Sequence, residues 1–419
     1  MELTEARESA LGLTPTGGIE SIELREALGR VLAESIASSF DSPRESRSRF
    51  DGFALRSSDT LGASLQSPVA LRIREGLLAA GHEAKLSIDP GECVRILTGA
   101  PLPRNADGVA LQEETFREGQ QLILKRALAP GHGIAPAGQE IKKGELLFAE
   151  GELLTPTRMA LIAALGYAKV AVYLRPRVAL LATGDELREL GTPLEGPSMY
   201  CNNRHLLAWM VALHGGAPVQ EEIVGDDPKA IAEWLKDAEA DVIISTGGVG
   251  GGTRDFTLQA WKTIGARLRF SEVNLSPGRN SALGYREGQI LFGLPGNPWG
   301  SQIIFEELVA PVLWRRQGLK EQDRPYIAAR MAATIRKKKG FYKAIRGILN
   351  LQTAPASFEP MDSGRKSHFA ALRNHFNYTL LGPDVVEAPK GSEVKVRFHD
   401  FPLLAYPSLG ILENVARAF

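Results

Sequence analysis

The sequence predicts a multidomain α/β plus β protein whose centre is a doubly wound α/β domain. Between Arg177 and Val312 a short apolar run three times ends in a glycine-bearing polar loop, and a helix-like segment follows. The junctions read Val178-Ala-Leu-Leu-Ala-Thr-Gly-Asp-Glu-Leu187, Asp241-Val-Ile-Ile-Ser-Thr-Gly-Gly-Val-Gly-Gly-Gly252 and Ile290-Leu-Phe-Gly-Leu-Pro-Gly-Asn-Pro298. Strands alternating with helices make a parallel sheet whose strands end at one rim, and ligands bind outside that rim. Three loops far apart in sequence are therefore expected to converge on one pocket. On either side of this stretch, short strand-like runs punctuated by Gly and Pro predict smaller β-rich domains.

Taken in order, Thr4 to Leu13 reads as a short helix. Glu20 to Ser39 reads as another, with Ile22, Leu24, Ala27, Leu28, Val31 and Leu32 near helical spacing. An irregular stretch, Phe40 to Phe53, precedes a β-rich part running from about Ala54 to Gly138. Its strand-like runs are Val69-Ala-Leu-Arg-Ile, Glu92-Cys-Val-Arg-Ile-Leu, Gly108-Val-Ala-Leu-Gln and Gln121-Leu-Ile-Leu. A helix is expected at Thr155 to Leu165, where Thr155 can cap and Pro156 suits the first turn. The α/β helices are expected at Asn202–Leu213, Pro228–Ala238, Asp255–Ile264 and Pro298–Trp314. From Tyr326 on, runs such as Glu393-Val-Lys-Val-Arg-Phe398 predict a last small β domain. The expected division is 1–45 with 139–176 (a mixed α/β N-terminal domain, which the resemblance described below makes the dimerisation domain), 46–138 (inserted β-rich), 177–322 (α/β) and 323–419 (C-terminal β).

Bulk properties narrow the function. A chain of 419 residues exceeds one ordinary core, so about two to four domains are expected. Hydrophobic content of 44% and charged content of 23% are those of a soluble globular protein. Lys+Arg and Asp+Glu both total 49, so no global field steers the chain to nucleic acid or anionic lipid. Cys93 and Cys201 give neither a disulfide framework nor a zinc set. Met1-Glu-Leu-Thr-Glu lacks the marks of a signal peptide, and Met159 to Leu174 is too short and too interrupted to span a bilayer. A cytoplasmic protein is expected, with no membrane and no nucleic acid among its partners. The histidines show no metal spacing, and no Gly-x-Ser-x-Gly elbow is present.

The loops carry the chemistry. Thr246, Gly247, Gly248 and Gly250 follow a strand, and glycines let backbone N–H groups approach an anion closely. A tight turn without a ligand is the plainer alternative. In Pro295-Gly296-Asn297-Pro298 the prolines fix φ, Asn297 is placed to cap and Pro298 opens a helix, so the loop orients something or simply starts the helix. Asp185, Glu186, Asp226, Asp227 and Asp255 gather acid near an anion-binding loop. Two like charges 4 Å apart cost about 4 kcal/mol at a surface-like dielectric. A divalent cation removes the conflict, and Mg²⁺ prefers carboxylate and phosphate oxygens. Each acid alone reads as a cap or solvated charge; the set points to metal. Elsewhere, Arg49-Phe-Asp-Gly-Phe-Ala-Leu-Arg56 and Arg95-Ile-Leu-Thr-Gly-Ala-Pro-Leu-Pro103 read as a turn and a strand end, or as parts of a site.

These stretches, in this order, resemble the molybdopterin molybdenumtransferase family (MoeA-type, gephyrin E domain-like). The matching segments are Leu24-Arg-Glu-Ala-Leu-Gly-Arg-Val-Leu-Ala33, Phe50-Asp-Gly-Phe-Ala54, Arg95-Ile-Leu-Thr-Gly-Ala100, Gly138-Gln-Glu-Ile141, Ala182-Thr-Gly-Asp-Glu-Leu187, Ser245-Thr-Gly-Gly-Val249 and Gly293-Leu-Pro-Gly-Asn-Pro298. Past residue 325 only Gly340-Phe-Tyr-Lys343 and Lys366-Ser-His368 match, loosely. The resemblance implies a central α/β domain of molybdopterin-binding type and a homodimer with its site in the dimer cleft. It implies molybdate and adenylylated molybdopterin as substrates, AMP as product, and Mg²⁺ or Zn²⁺ as cofactor. A molybdopterin adenylyltransferase and molybdoenzyme apoproteins are its implied partners. Carried over by motif, the catalytic residues are Asp51, Thr98, Glu140, Glu186, Asp226 and Asp255, with Glu186, Asp226 and Asp255 on the metal. Asp51 and Thr98 would come from the second subunit. The implied substrate-binding residues are Thr246, Gly247, Gly248, Gly250, Ser276, Arg279, Pro295, Gly296, Asn297, Pro298, Lys343 and Ser367. Where the family reads Lys-Pro-Gly-Lys-Pro, this chain reads Ser276-Pro-Gly-Arg-Asn280, and a further family lysine falls at Glu272. Molybdate is a dianion, so those losses weaken the local field. Arg279, Lys343, Arg346 or the 336–339 run are the candidates to restore it. The alternatives are a diverged paralogue that binds molybdopterin or nucleotide without transferring metal, and a tungstate-preferring enzyme.

Overall fold

The computed structural model describes residues 1–83, 85–249, 255–320, 326–361 and 377–399. Two compact units emerge. One comprises Met1–Glu34, Glu150–Ala163 and the described residues from Tyr167 onward; the other comprises Ser35–Ala149 with Ala164–Gly166.

The first unit is built on a six-stranded sheet. In chain order its elements are β1 (Arg177–Thr183), α1 (Asn202–Leu213), β2 (Ala217–Val224), α2 (Pro228–Asp237), β3 (Val242–Thr246), α3 (Phe256–Thr263), β4 (Arg267–Phe270), β5 (Ala282–Arg286), β6 (Gln289–Leu294) and α4 (Pro298–Ile304). The sheet order is β2-β1-β3-β6-β5-β4. The first four strands are parallel, and β5 and β4 extend the sheet antiparallel. Successive strand residues face opposite layers, so a sheet covered on both faces needs continuous apolar runs. Val178, Leu180, Val242, Ile244, Ile290 and Phe292 pack toward Leu207, Val211 and Ile303. Their neighbours Ala179, Leu181, Ile243 and Leu291 pack with Ile231, Leu235 and Trp261 on the other layer. That is the doubly wound arrangement expected from the strand–helix alternation.

All four α/β helices form within a residue or so of their expected starts. The last continues from α4 through a π-helical turn, Phe305–Val309, into a helix at Ala310–Arg316. The helix expected at Glu20 to Ser39 does not form. Ile19–Glu23 is a strand paired antiparallel with Lys169–Tyr173, a short 3₁₀ turn covers Leu24–Glu26, and Gly29 takes φ of 72°. Leu24, Ala27, Val31 and Leu32 are buried. Their helix-like spacing thus arises from a folded-back chain rather than a helix. Pairing with a distant strand overrides the local pattern.

The C-terminal strands close into a barrel. Tyr342–Asn350 pairs with both Ser357–Pro360 and Asn377–Leu381, and Ile327–Met331 pairs with Glu393–Phe398. The short strand Leu275–Ser276 joins it, with Ser276 in register with Lys343.

The second unit carries its own six-stranded sheet. Gly52–Leu55 lies between Gly108–Leu111 and Glu92–Ile96, and Val69–Leu78, Gln121–Leu124 and Phe116–Glu118 follow. Gly52 has a packing reason: a Cβ there would stand 1.9 Å from the Ala110 carbonyl oxygen. No helix among the described residues is long and apolar enough to cross a membrane.

Candidate functional site

Register brings the parallel strand ends together. Ala182 pairs with Thr246, Thr246 with Leu294, and Thr183 with Val224. Four loops therefore leave one rim side by side: those after β1, β2, β3 and β6. They enclose two adjoining hollows of about 210 and 460 Å³, which share Glu186 and Asp226. Together these are of the size that holds a nucleotide-like ligand. Thr183, Gly184, Thr246, Gly247, Gly248 and Gly296 line the first hollow, and Asp185 and Phe256 help line the second. The three loops singled out by sequence thus share one cleft, and the loop after β2 joins them with Asp226.

The β3 loop is held by its neighbours. Gly247 (φ 92°) donates its N–H to the Leu294 carbonyl at 3.2 Å, Thr257 Oγ1 donates to the Gly247 carbonyl at 3.0 Å, and Gly248 follows with φ 62°. A Cβ at Gly247 would meet the Thr183 carbonyl oxygen at 2.5 Å, so both backbone angle and space demand glycine there. Its N–H is thus committed to the β6 end, and Gly248 beside it lines the cleft. Gly250 lies outside the described residues, as does Ser367.

The acids divide by role. Asp185 Oδ1 accepts from the Asp226 N–H at 3.0 Å, and Asp227 caps α2 through the Lys229 N–H at 2.9 Å. Both of these shape backbone. Glu186 folds back over Gly184, where a Cβ would stand 2.8 Å from Glu186 Oε2. Asp255 occupies the N-cap position of α3 without a side-chain capping bond. Its Oδ1 is buried, and no hydrogen-bond partner among the described residues reaches it. Among the described residues no three His, Cys, Asp or Glu side chains form a ready-made metal set. In the third loop Gly296 lines the cleft, while Asn297 Oδ1 accepts from the Trp299 and Gly300 N–H groups at 2.9 and 3.3 Å. Asn297 is therefore a helix cap, with Pro295 before it and Pro298 opening α4.

The second unit joins its two motif segments. Gly52 pairs with Ile96, and Asp51 Oδ1 accepts from both the N–H and the hydroxyl of Thr98, at 2.8 and 2.7 Å. Those two bonds, the backbone one first, hold the Asp51 carboxyl below its usual range. Glu140 is exposed and accepts from Ser42 Oγ at 3.4 Å.

Sequence reasoning missed one wall of the cleft. Leu187, Met199, Cys201, Asn202 and Asn203 also line the first hollow, and Arg188, Glu195, Pro197 and Ser198 the second. All but Asn202 and Asn203, which open α1, belong to the long excursion between β1 and α1. Its length beyond an ordinary strand-to-helix loop was the available signal. Arg204 ties it down: the buried guanidinium grips both oxygens of Glu189 at 2.7 Å, which pulls the Glu189 carboxyl below its usual range.

Two family models match. That described as the MoeA N-terminal region (domain I and II) covers residues 1–166, and the probable molybdopterin binding domain covers 179–315. A molybdopterin molybdenumtransferase of Staphylococcus epidermidis is 31% identical over 365 residues, 87% of each chain. The chain belongs to the molybdopterin molybdenumtransferase family. A second relative, molybdopterin molybdenumtransferase 2 of Mycobacterium tuberculosis, is 31% identical over 90% of this chain and 94% of its own. The fold agrees with the crystal structure of a molybdopterin biosynthesis MoeA protein from Pyrococcus horikoshii, with a TM-score of 0.85 at 29% identity over 95% and 99% of the two chains.

The structure gives the neighbours of Ser276 and Glu272, where the resemblance implied lysines. Arg279 is exposed and donates to Glu272 Oε2 through Nε and Nη2, at 3.2 and 3.0 Å. Its charge is therefore partly spent on Glu272. Arg336 is likewise held by Glu387 at 2.7 Å, and Lys337 donates to the Phe341 carbonyl at 2.8 Å. Arg346 lies buried 4.0 Å above the Trp299 ring, and burial lowers its pKa to about 10. Lys343 stands in register beside Ser276.

Proposed function

We propose that this chain transfers molybdenum from molybdate to adenylylated molybdopterin and releases AMP at the cleft beyond β1, β2, β3 and β6. The observation that carries the proposal is the register of the four parallel strand ends. It sets the backbone of Thr246 to Gly248 and the carboxylates of Glu186 and Asp226 around one hollow. Gly248 offers an N–H to phosphoryl oxygen, and Gly296, from the neighbouring loop after β6, lines the same hollow.

A divalent cation fits this donor set. Glu186 and Asp226, which both line the hollow, supply only carboxylate oxygen. Mg²⁺ is commonly held by one or two carboxylates together with substrate phosphate, whereas a structural zinc site asks for a fuller protein shell. Mg²⁺ is the better match. When bound it would polarise the phosphoanhydride and offset the negative charge gathered there. Glu186 and Asp226 hold it, and the glycine loop orients the phosphates. Lys343, beside Ser276, takes over the attraction for the oxyanion. We further propose a homodimer in which the second subunit's β-rich unit contributes Asp51 and Thr98, a four-domain division of the chain, and a cytoplasmic location.

The test is incubation of the purified chain with adenylylated molybdopterin, Mg²⁺ and molybdate, following AMP and bound molybdenum. Release of AMP with stoichiometric metal incorporation supports the proposal. Tight nucleotide binding without metal incorporation rejects it.

A further inference from the structure

We infer that Arg188 binds a tetrahedral oxyanion in the second hollow, through the side-on pair of donors at its Nε and Nη2. The inference rests on the function proposed above and adds a residue that decides how the ligand's negative charge is held. Arg188 is exposed and lines that hollow of about 460 Å³. Among the described residues lining the two hollows it is the one cation. Its backbone is fixed: Leu187 and Arg188 pair in parallel with Met199 and Tyr200, and the Cys201 N–H donates to the Arg188 carbonyl at 2.9 Å. Its side chain is anchored as well. Nη1 donates to the carbonyls of Asp185 and Leu187, both at 2.8 Å. Those bonds use both Nη1 hydrogens. They leave the Nε–H and Nη2–H pair, the edge that takes two oxygens of a carboxylate or phosphate side by side. Asp185, Glu186, Glu195 and Asp226 line the same hollow, yet among the described residues none forms an ion pair with Arg188. Residues 250–254, between β3 and α3, contain no acid that could claim it.

The surroundings select the ligand chemistry. A guanidinium keeps its charge throughout the working pH range, and one already anchored loses little freedom when it binds. A hollow lined by carboxylates admits an anion only where positive charge offsets the repulsion. The two remaining donors match two oxygens of one tetrahedral group. A phosphoryl group of the nucleotide and the free metal oxyanion share this chemistry. The hollows adjoin and share Glu186 and Asp226, so a ligand occupying both meets the glycine turn in one and Arg188 in the other.

Titration calorimetry with AMP, adenosine and sodium molybdate at fixed Mg²⁺, on the full chain and on Arg188→Ala and Arg188→Lys, tests this. Thermal melting of each variant checks its fold. Arg188→Ala is expected to lose roughly tenfold or more in affinity for AMP, for molybdate or for both, with adenosine unchanged to within about twofold. Arg188→Lys, which keeps the charge but not the paired donors, is expected to recover part of that loss. Loss confined to AMP assigns the phosphoryl group; loss confined to molybdate assigns the free oxyanion; loss of both assigns a site that the two share. Unchanged affinity for both anions, an equal loss for adenosine, or a lysine variant no better than the alanine one overturns the inference. If the alanine variant does not fold, Arg188→Gln, which keeps a donor for the carbonyls without the charge, takes its place under the same criteria. A wild-type chain that takes up neither AMP nor molybdate removes the proposed function as well. Normal uptake by wild type and by the alanine variant removes this inference alone.

Discussion

Asp51 shows how a single exposed carboxylate can be tuned by two short bonds. Thr98 donates its N–H and its hydroxyl to one oxygen, so the ionised form is favoured. Because the folded-state pKa is depressed, the bond's contribution is present above the ordinary carboxylate range. It is lost as pH falls through the folded pKa. Thr98→Val should therefore move Asp51 upward toward its ordinary value, read by carboxyl-carbon NMR titration; an unmoved Asp51 would show that the hydroxyl does not matter. Lys343 carries a second test at this scale. If it stands in for the lysine replaced by Ser276, Lys343→Ala should raise KM for molybdate by roughly tenfold to a hundredfold, with a smaller change in kcat. An unchanged KM would assign the oxyanion to other cations.

At the scale of elements, what the sequence made legible were the strand–loop–helix junctions. Their signals are local: apolar runs such as Val242 to Ile244, a glycine where the chain must turn, and Asn297 with Pro298 at a helix start. The start of the chain was misread for the opposite reason. Leu24, Ala27, Val31 and Leu32 keep helical spacing, but the partner strand at Lys169–Tyr173 lies far away in sequence. The wall from Arg188 to Asn203 was also illegible, because its residues carry no motif and meet the cleft only when folded over it. Arg204 should hold that wall. Its guanidinium is buried while Glu189 is half exposed, so the freed carboxylate in Arg204→Leu can turn to water. The expected loss is about 1–3 kcal/mol in urea unfolding, with partial recovery in Arg204→Lys. A variant as stable as wild type would mean that the excursion is held by other contacts.

For the molecule as a whole, family membership and fold rest on features spread along most of the chain, whereas the proposed chemistry is placed at one rim of one sheet. That rim gathers Glu186 and Asp226 beside a glycine-bearing turn, and on the proposed reading a nucleotide there needs positive charge to offset theirs. The most direct test is the affinity of the chain for adenylylated molybdopterin with Mg²⁺ and with EDTA, in wild type and in a Glu186→Gln, Asp226→Asn double variant. Binding by wild type should weaken by about tenfold or more when Mg²⁺ is removed, and the double variant should lose that metal dependence. Equal binding by wild type with Mg²⁺ and with EDTA would contradict the account.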